Sequence, residues 1–128
     1  MPDRRTTGRE GEDLAAAVLE SHGYRILDTN FRSPFGEIDI VAEESGCLVF
    51  VEVKTRQSDR QGHPSEAVTP EKQRRLTRLA VTFLKRHHLH EHPARFDVIG
   101  ITWPDGGKPR VEHFVNAFDA AGQWEFYS

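Results

Sequence analysis

Apolar residues recur along the chain with two different periods, and the switches between them predict the elements. Thr7 to Glu10 has the T-x-x-E form of a capping box, with Thr7 as N-cap and Glu10 three positions on. "EDLAAAVLESHG" continues as helix, and Gly23 is a natural C-terminal stop. The pattern then shortens. "YRILDTNF", "GEIDIVAE" and "CLVFVEVKT" read as three strands, the last two joined by a turn at Glu44–Gly46. "QSDRQGHPSEAVTP" is a polar connection. Thr69 and Pro70 suit the N-cap and first position of a second helix. Leu76, Leu79, Ala80, Phe83 and Leu84 then repeat at helical spacing, so one face is buried. That helix is expected to fade near His88–Pro93, before "RFDVIGITW" and "RVEHFVNAF" supply the fourth and fifth strands. The order α-β-β-β-α-β-β places a helix between strands three and four. That permits a parallel pairing there and predicts an α/β fold, a mixed five-stranded sheet flanked by helices.

The third strand breaks its own pattern. Side chains alternate along a strand, so Leu48, Phe50, Glu52 and Lys54 share one face and Val49, Val51, Val53 and Thr55 the other. Both faces begin apolar, as in a central strand covered on both sides. One then turns polar at its far end while the other stays apolar through Val53, the pattern of a site opening at the edge of a core. If Ser45-Gly46 is a two-residue loop, Asp39 lies directly opposite Glu52, with Cβ atoms roughly 4.5–5.5 Å apart. Two like charges at that distance need compensation, more so in a low dielectric. Lys54 supplies part of it, which would make an ion network Asp39–Lys54–Glu52. A divalent cation is the stronger compensation, because Mg²⁺ prefers carboxylate oxygens. Glu37 shares the Asp39 face in this register but follows Gly36 at the start of its strand, where solvation accounts for it.

Composition narrows the class. The 128 residues make one domain's worth of chain, enough to bury a core. A single cysteine, Cys47, excludes an internal disulfide framework and fits a reducing, cytoplasmic setting. The polar N-terminus lacks the apolar segment of a signal peptide, and no apolar run is long enough to span a membrane. The net charge is −3, yet Lys54 to Arg95 carries ten Lys or Arg against four Asp or Glu. That basic segment within an acidic chain is compatible with a phosphate backbone as partner, although on charge alone a helix face turned to water accounts for it.

At Asp39, the hairpin, and Glu52-Val53-Lys54, the sequence resembles the D…ExK core of the PD-(D/E)xK nuclease superfamily. "NFRSPFGEIDIVAEE…LVFVEVKTR" is more specific, and is similar to the small bacterial YraN-like family of endonuclease-like proteins. "GREGEDLAAAVLESHGYRILDTNFR", "HPSEAVTPEKQRRLTRLA" and "RFDVIGI" extend the resemblance over nearly the whole chain. Ile38 stands where the motif's proline would precede Asp39. The resemblance implies a restriction-endonuclease-like core similar to that of Holliday-junction resolvases, and Mg²⁺-dependent (or Mn²⁺-dependent) hydrolysis of nucleic-acid phosphodiesters, DNA above all. It implies Asp39 and Glu52 as metal ligands, the Val53 carbonyl as a further one, and Lys54 as the group that orients or activates water. It leaves room for a homodimer.

Other residues add to the site. Glu12 falls beside Ala16 and Leu19 at 100° per residue, on the flank of a packing face, and looks like the superfamily's helical acid near the metal. Lys72 projects among Leu76, Leu79 and Phe83 although it sits at a helix N-terminus, where the dipole disfavours a cation; either a phosphate or carboxylate nearby accounts for it, or the side chain snorkels past the core to water. Arg56 continues the Glu52–Lys54 face, and with Lys72, Arg75 and Arg32 it is a candidate phosphate contact. Asn30 precedes the hairpin and is a weaker candidate. Arg95 and Asp97 are expected to form an internal ion pair. The His87–His92 run sits at a helix end, which suits imidazole without a metal. Two readings therefore compete with catalysis: a nucleic-acid-binding module on a nuclease fold, and a protein-interaction domain that keeps only the ion network.

Overall fold

The computed structural model describes residues 4–58, 62, 68–89, 91–104 and 107–120, the side chains of residues 4–7 excepted. The elements are α1 (Arg4–Ser21), β1 (Arg25–Ser33), β2 (Gly36–Glu44), β3 (Cys47–Arg56), α2 (Pro70–Arg86), β4 (Ala94–Thr102) and β5 (Arg110–Phe118). Both helices and all five strands lie where the periodicity predicts them. The start of α1 is corrected: the helix begins at Arg4, ahead of Thr7, so Thr7 is not its N-cap. Its C-terminus behaves as expected. Gly23 takes φ +89°, and the Tyr24 N–H donates to the Leu19 carbonyl at 3.0 Å, the long bond of a Schellman stop. For α2, Thr69 Oγ1 accepts from the Lys72 N–H at 3.2 Å, with Pro70 opening the helix. The polar connection after β3 lies largely outside the described residues.

The strands follow one another across the sheet in the order β1-β2-β3-β4-β5. Only β3 and β4 are parallel, joined through α2; the other neighbours are antiparallel. The helices cover opposite faces. Leu76, Leu79, Ala80, Phe83 and Leu84 of α2 pack on Phe31, Ile38, Val41, Leu48, Phe50, Phe96 and Val98. Ala15 and Leu19 of α1 pack on Ile40, Ala42, Val49, Val51, Ile99 and Ile101. Phe83 is the keystone of the first layer, meeting Phe31 and Phe50 edge-on at centroid distances of 5.2 and 5.8 Å. The alternation in β3 is therefore two-sided burial, as its apolar beginning predicts.

Two local features aim this scaffold. A Cβ at Gly11 would collide with Thr55 Oγ1. The absence of a side chain there lets α1 lie directly on β3, which brings Glu12, the next residue, over the polar end of that strand. The second feature is a twist in the β1–β2 ribbon. Ile38 and Ile40 are two apart in one strand, yet they belong to clusters on opposite faces of the sheet. Asp39 lies between them, and the β1 residue across from it, Asn30, has φ 57°.

Candidate active site

The hairpin sets the register as the sequence predicts. Ser45 and Gly46 have φ 51° and 79°, the two positive values of a tight hairpin turn, and Glu44 pairs with Cys47. Carried along the strands, this register sets Asp39 across from Glu52. The described ladder stops one pair short, at Ile40–Val51. There β2 diverges from β3, and the Asp39 carboxylate accepts the Val53 N–H at 2.8 Å, standing in for a ladder bond. Charged side chains from α1, β2, β3 and α2 converge on this end of the sheet, and the space between them is the cleft of the candidate site.

Three carboxylates line its β2 side. Glu12, Glu37 and Asp39 each offer an oxygen, and these oxygens all lie within 4.8 Å of one another. Asn30 holds two of them: with its amide oriented to suit its neighbours, the nitrogen donates to Glu37 Oε1 at 2.7 Å and Glu12 Oε2 at 3.1 Å. Arg32 Nε donates to Glu37 Oε2 at 3.0 Å. Burial, then the charge of Glu52 and of Glu12, pushes the Asp39 carboxyl up to about 7, against the lowering effect of the Val53 N–H and of Lys72. Burial also raises Glu12, helped by Glu37 and opposed by its hydrogen bonds to Asn30 and Asp39. Asp39 is thus the group on which the crowding falls.

Two lysines line the β3 side. Lys72 Nζ lies 2.7 Å from Glu52 Oε1, and Glu52 is 8% exposed. The inward cation at the start of α2 is explained: it answers a buried carboxylate. Burial alone would lower Lys72, but the hydrogen bond and charge of Glu52 raise it. Burial and the like charge of Lys72 lower Lys54. Charges of both signs are therefore packed into one cleft, carboxylates toward β2 and ammonium groups toward α2.

Of the residues the sequence singles out, Asp39, Glu52, Lys54, Glu12 and Lys72 come together, and Arg32 stands beside them. Arg75 lies on the exposed side of α2, 4.0 Å from Glu71, with its stem near Gly36. Arg56 departs from expectation. Its guanidinium turns across the sheet, where Nε donates to Thr102 Oγ1 at 3.2 Å and Nη2 lies 3.9 Å from Glu112. With its side chain 10% exposed, it presents little to a phosphate. Glu37 is the residue that sequence reasoning undervalued. Its place two residues before Asp39 was the available signal, but only the twist at Asn30 and Asp39 brings it beside Glu12. The expected Arg95–Asp97 pair exists, with Nε–Oδ1 at 3.1 Å. It lies at the other end of β4, where Asp97 is fully buried and also accepts from His113 Nε2 and the Asn116 N–H. In the histidine run, His90 lies outside the described residues.

Fold and cleft together define an α/β domain with a carboxylate–lysine site at the open end of a mixed sheet. The chain belongs to the uncharacterised protein family UPF0102, whose family model matches residues 11–101. It is 54% identical over 122 residues to a UPF0102 protein of Pelobacter propionicus, covering 94% of this chain and 87% of that one. A UPF0102 protein of Geobacter sulfurreducens is 53% identical over 114 residues, covering 89% of each. Among solved structures, the chain is similar to Pyrococcus furiosus SfsA in complex with Ca²⁺, with a TM-score of 0.42 and 16% identity, covering 89% of this chain and 64% of that one.

Proposed function

We propose that the protein is a metal-dependent endonuclease-like hydrolase acting on nucleic-acid phosphodiesters, with DNA as the favoured substrate. The observation that carries this reading is the convergence of Glu12, Glu37 and Asp39 oxygens within 4.8 Å, beside Lys54 and Lys72. Hard oxygen donors of this kind fit Mg²⁺ or Mn²⁺, and a cation there would offset the burial and the neighbouring charges that together raise Asp39. Glu12, Glu37 and Asp39 would hold the ion. Glu52, paired with Lys72, stands next to them as a further acid. A bound divalent ion would supply polarised water and charge stabilisation.

The chain's own groups then have distinct tasks. Asp39 is fixed by the Val53 N–H, so its second oxygen keeps one direction. Asn30 orients Glu12 and Glu37. Glu52 holds Lys72 in place, and the two lysines present positive charge where a phosphoryl group develops negative charge. The phosphate backbone would be positioned by the basic face of α2 and by Arg32.

A second reading is supported by the Lys72–Glu52 pair, which at 2.7 Å already satisfies one acid without a metal. On that reading the domain binds nucleic acid and does not cut it. One experiment separates the two: branched, flapped and linear DNAs are incubated with wild type and Asp39→Asn, with Mg²⁺, Mn²⁺ or EDTA. Hydrolysis requires cleavage by wild type that needs metal and is lost in Asp39→Asn. Binding without cleavage across the whole panel would establish the second reading.

A further inference from the structure

The turn between β1 and β2 exposes an aromatic ring that the core does not use. Phe35 is 40% exposed, whereas Phe31 and Ile38 on either side of it are buried in the α2 layer. The ring stands against the outer face of α2. The Arg78 guanidinium carbon lies 4.1 Å from its centroid, a cation–π contact. Two grooves share this pair. One, of about 360 Å³, runs past Glu71, Arg74 and Arg75. The other, of about 180 Å³, runs past Val81, Thr82 and Lys85. Both are open to solvent, so they suit a chain lying across the surface rather than an enclosed small molecule. Apart from Glu71 their charged residues are all cationic.

We propose that this surface binds a single-stranded nucleic-acid segment, with an unpaired base stacked on Phe35 and the flanking phosphates on Arg74 and Arg75. The inference rests on the phosphodiester reading of the neighbouring cleft and adds the substrate class. Three arguments lead to it. Arginines beside an exposed aromatic match a ligand that alternates anionic groups with flat π faces, which is the make-up of a single strand. A duplex hides its base faces in the stack, so only unpaired nucleotides offer one to a side chain. The position is also right. Phe35 stands in the turn just before β2 and Asp39 is the fourth residue of that strand, so the two are at most about 14 Å apart along the chain, and a strand crossing Phe35 can continue into the carboxylate cleft. The substrate would then be a junction between paired and unpaired nucleotides.

The test is fluorescence anisotropy with the full chain in EDTA, which prevents cleavage. The probes are a labelled oligothymidylate, a blunt duplex, and that duplex carrying a single-stranded tail. Wild type should favour the oligothymidylate and the tailed duplex. Phe35→Ala should weaken both by about 5- to 150-fold, the loss of one stacked base, and change blunt-duplex affinity by less than about 2-fold. Phe35→Trp should retain the affinity, and its added emission should be quenched on binding. Melting temperatures close to wild type are expected for both variants, because the ring lies outside the core. A preference for blunt duplex, or equal affinity of Phe35→Ala and wild type for the tailed duplex, overturns the proposal. The cleavage assay keeps the two readings apart. Metal-dependent cleavage with no effect of Phe35→Ala on binding removes only the stacking site. Binding through Phe35 with no cleavage removes only hydrolysis.

Discussion

Replacing Asp39 by Asn tests the crowding in the cleft through stability, without any substrate. Asparagine has the same shape, and its Oδ1 can still accept the Val53 N–H; what disappears is the charge. In the folded protein, burial and the charges of Glu52 and Glu12 push Asp39 up to about 7 from the ordinary value of 3.8. The folded state therefore binds the proton more tightly than the unfolded chain. For an acid raised in this way, stability falls as pH rises through the interval between the two values and stays low above it. Each pH unit of that interval corresponds to about 1.4 kcal/mol, so the full interval is worth about 4 kcal/mol. Asp39 is only partly buried by surface area, and water at the cleft mouth screens the charge. The expected cost of its ionisation is therefore about 2–4 kcal/mol. Asp39→Asn should exceed wild type in stability by that amount at about pH 8 and match it at about pH 4. Urea unfolding of both proteins in EDTA, across this range, measures the difference. Saturating Mg²⁺ should then raise wild type by about 3 kcal/mol at 100 times its Kd and raise Asp39→Asn much less. A difference between the two proteins that does not grow with pH would refute the reasoning. So would an Asn variant less stable than wild type at high pH.

Three further outcomes are expected. Under the proposed function, Lys54→Met should slow single-turnover cleavage on the order of 100-fold while equilibrium affinity for the same DNA changes little, since the arginines of α2 would still hold the backbone; unchanged cleavage would remove Lys54 from catalysis. Asp97→Ala should cost about 3 kcal/mol or more in urea unfolding, because Arg95 and His113 lose a fully buried partner. Burial alone would raise Asp97, but its bonds to His113, Arg95 and the Asn116 N–H hold it below the ordinary range. Its contribution is therefore present above the unfolded value and lost as pH falls through the folded one, opposite in sign to Asp39. Gly11→Val should lower stability by about 1–3 kcal/mol, since its Cβ meets Thr55; a Tm equal to wild type would mean that α1 does not depend on that close approach.

Short-range chemistry determined what the sequence makes legible. The alternation of β3, the two-residue turn at Ser45-Gly46, the Thr69–Pro70 start of α2 and the stop at Gly23 each depend on a few neighbouring residues, so each can be read in one dimension. Together they fix the elements, the register of the hairpin and the nearness of Asp39 to Glu52. The long connection through α2 made a parallel β3–β4 pairing possible, but only packing on both faces of the sheet selected it. The membership of the cleft was likewise a tertiary decision. Glu12 reaches it because a helix closes on Thr55 at Gly11, far away in sequence. Glu37 joins it because the ribbon twists at Asn30 and Asp39, and alternation alone cannot carry a side chain through such a twist. Lys72 had the right signature, a cation facing inward, but its partner could be named only once α2 was laid against Glu52. Arg56 continued the right face of its strand and yet left the site, because Thr102 and Glu112 on neighbouring strands offered its guanidinium bonds across the sheet. A strand's period tells which face a residue begins on. Where a long side chain ends depends on partners that only the folded sheet brings within reach.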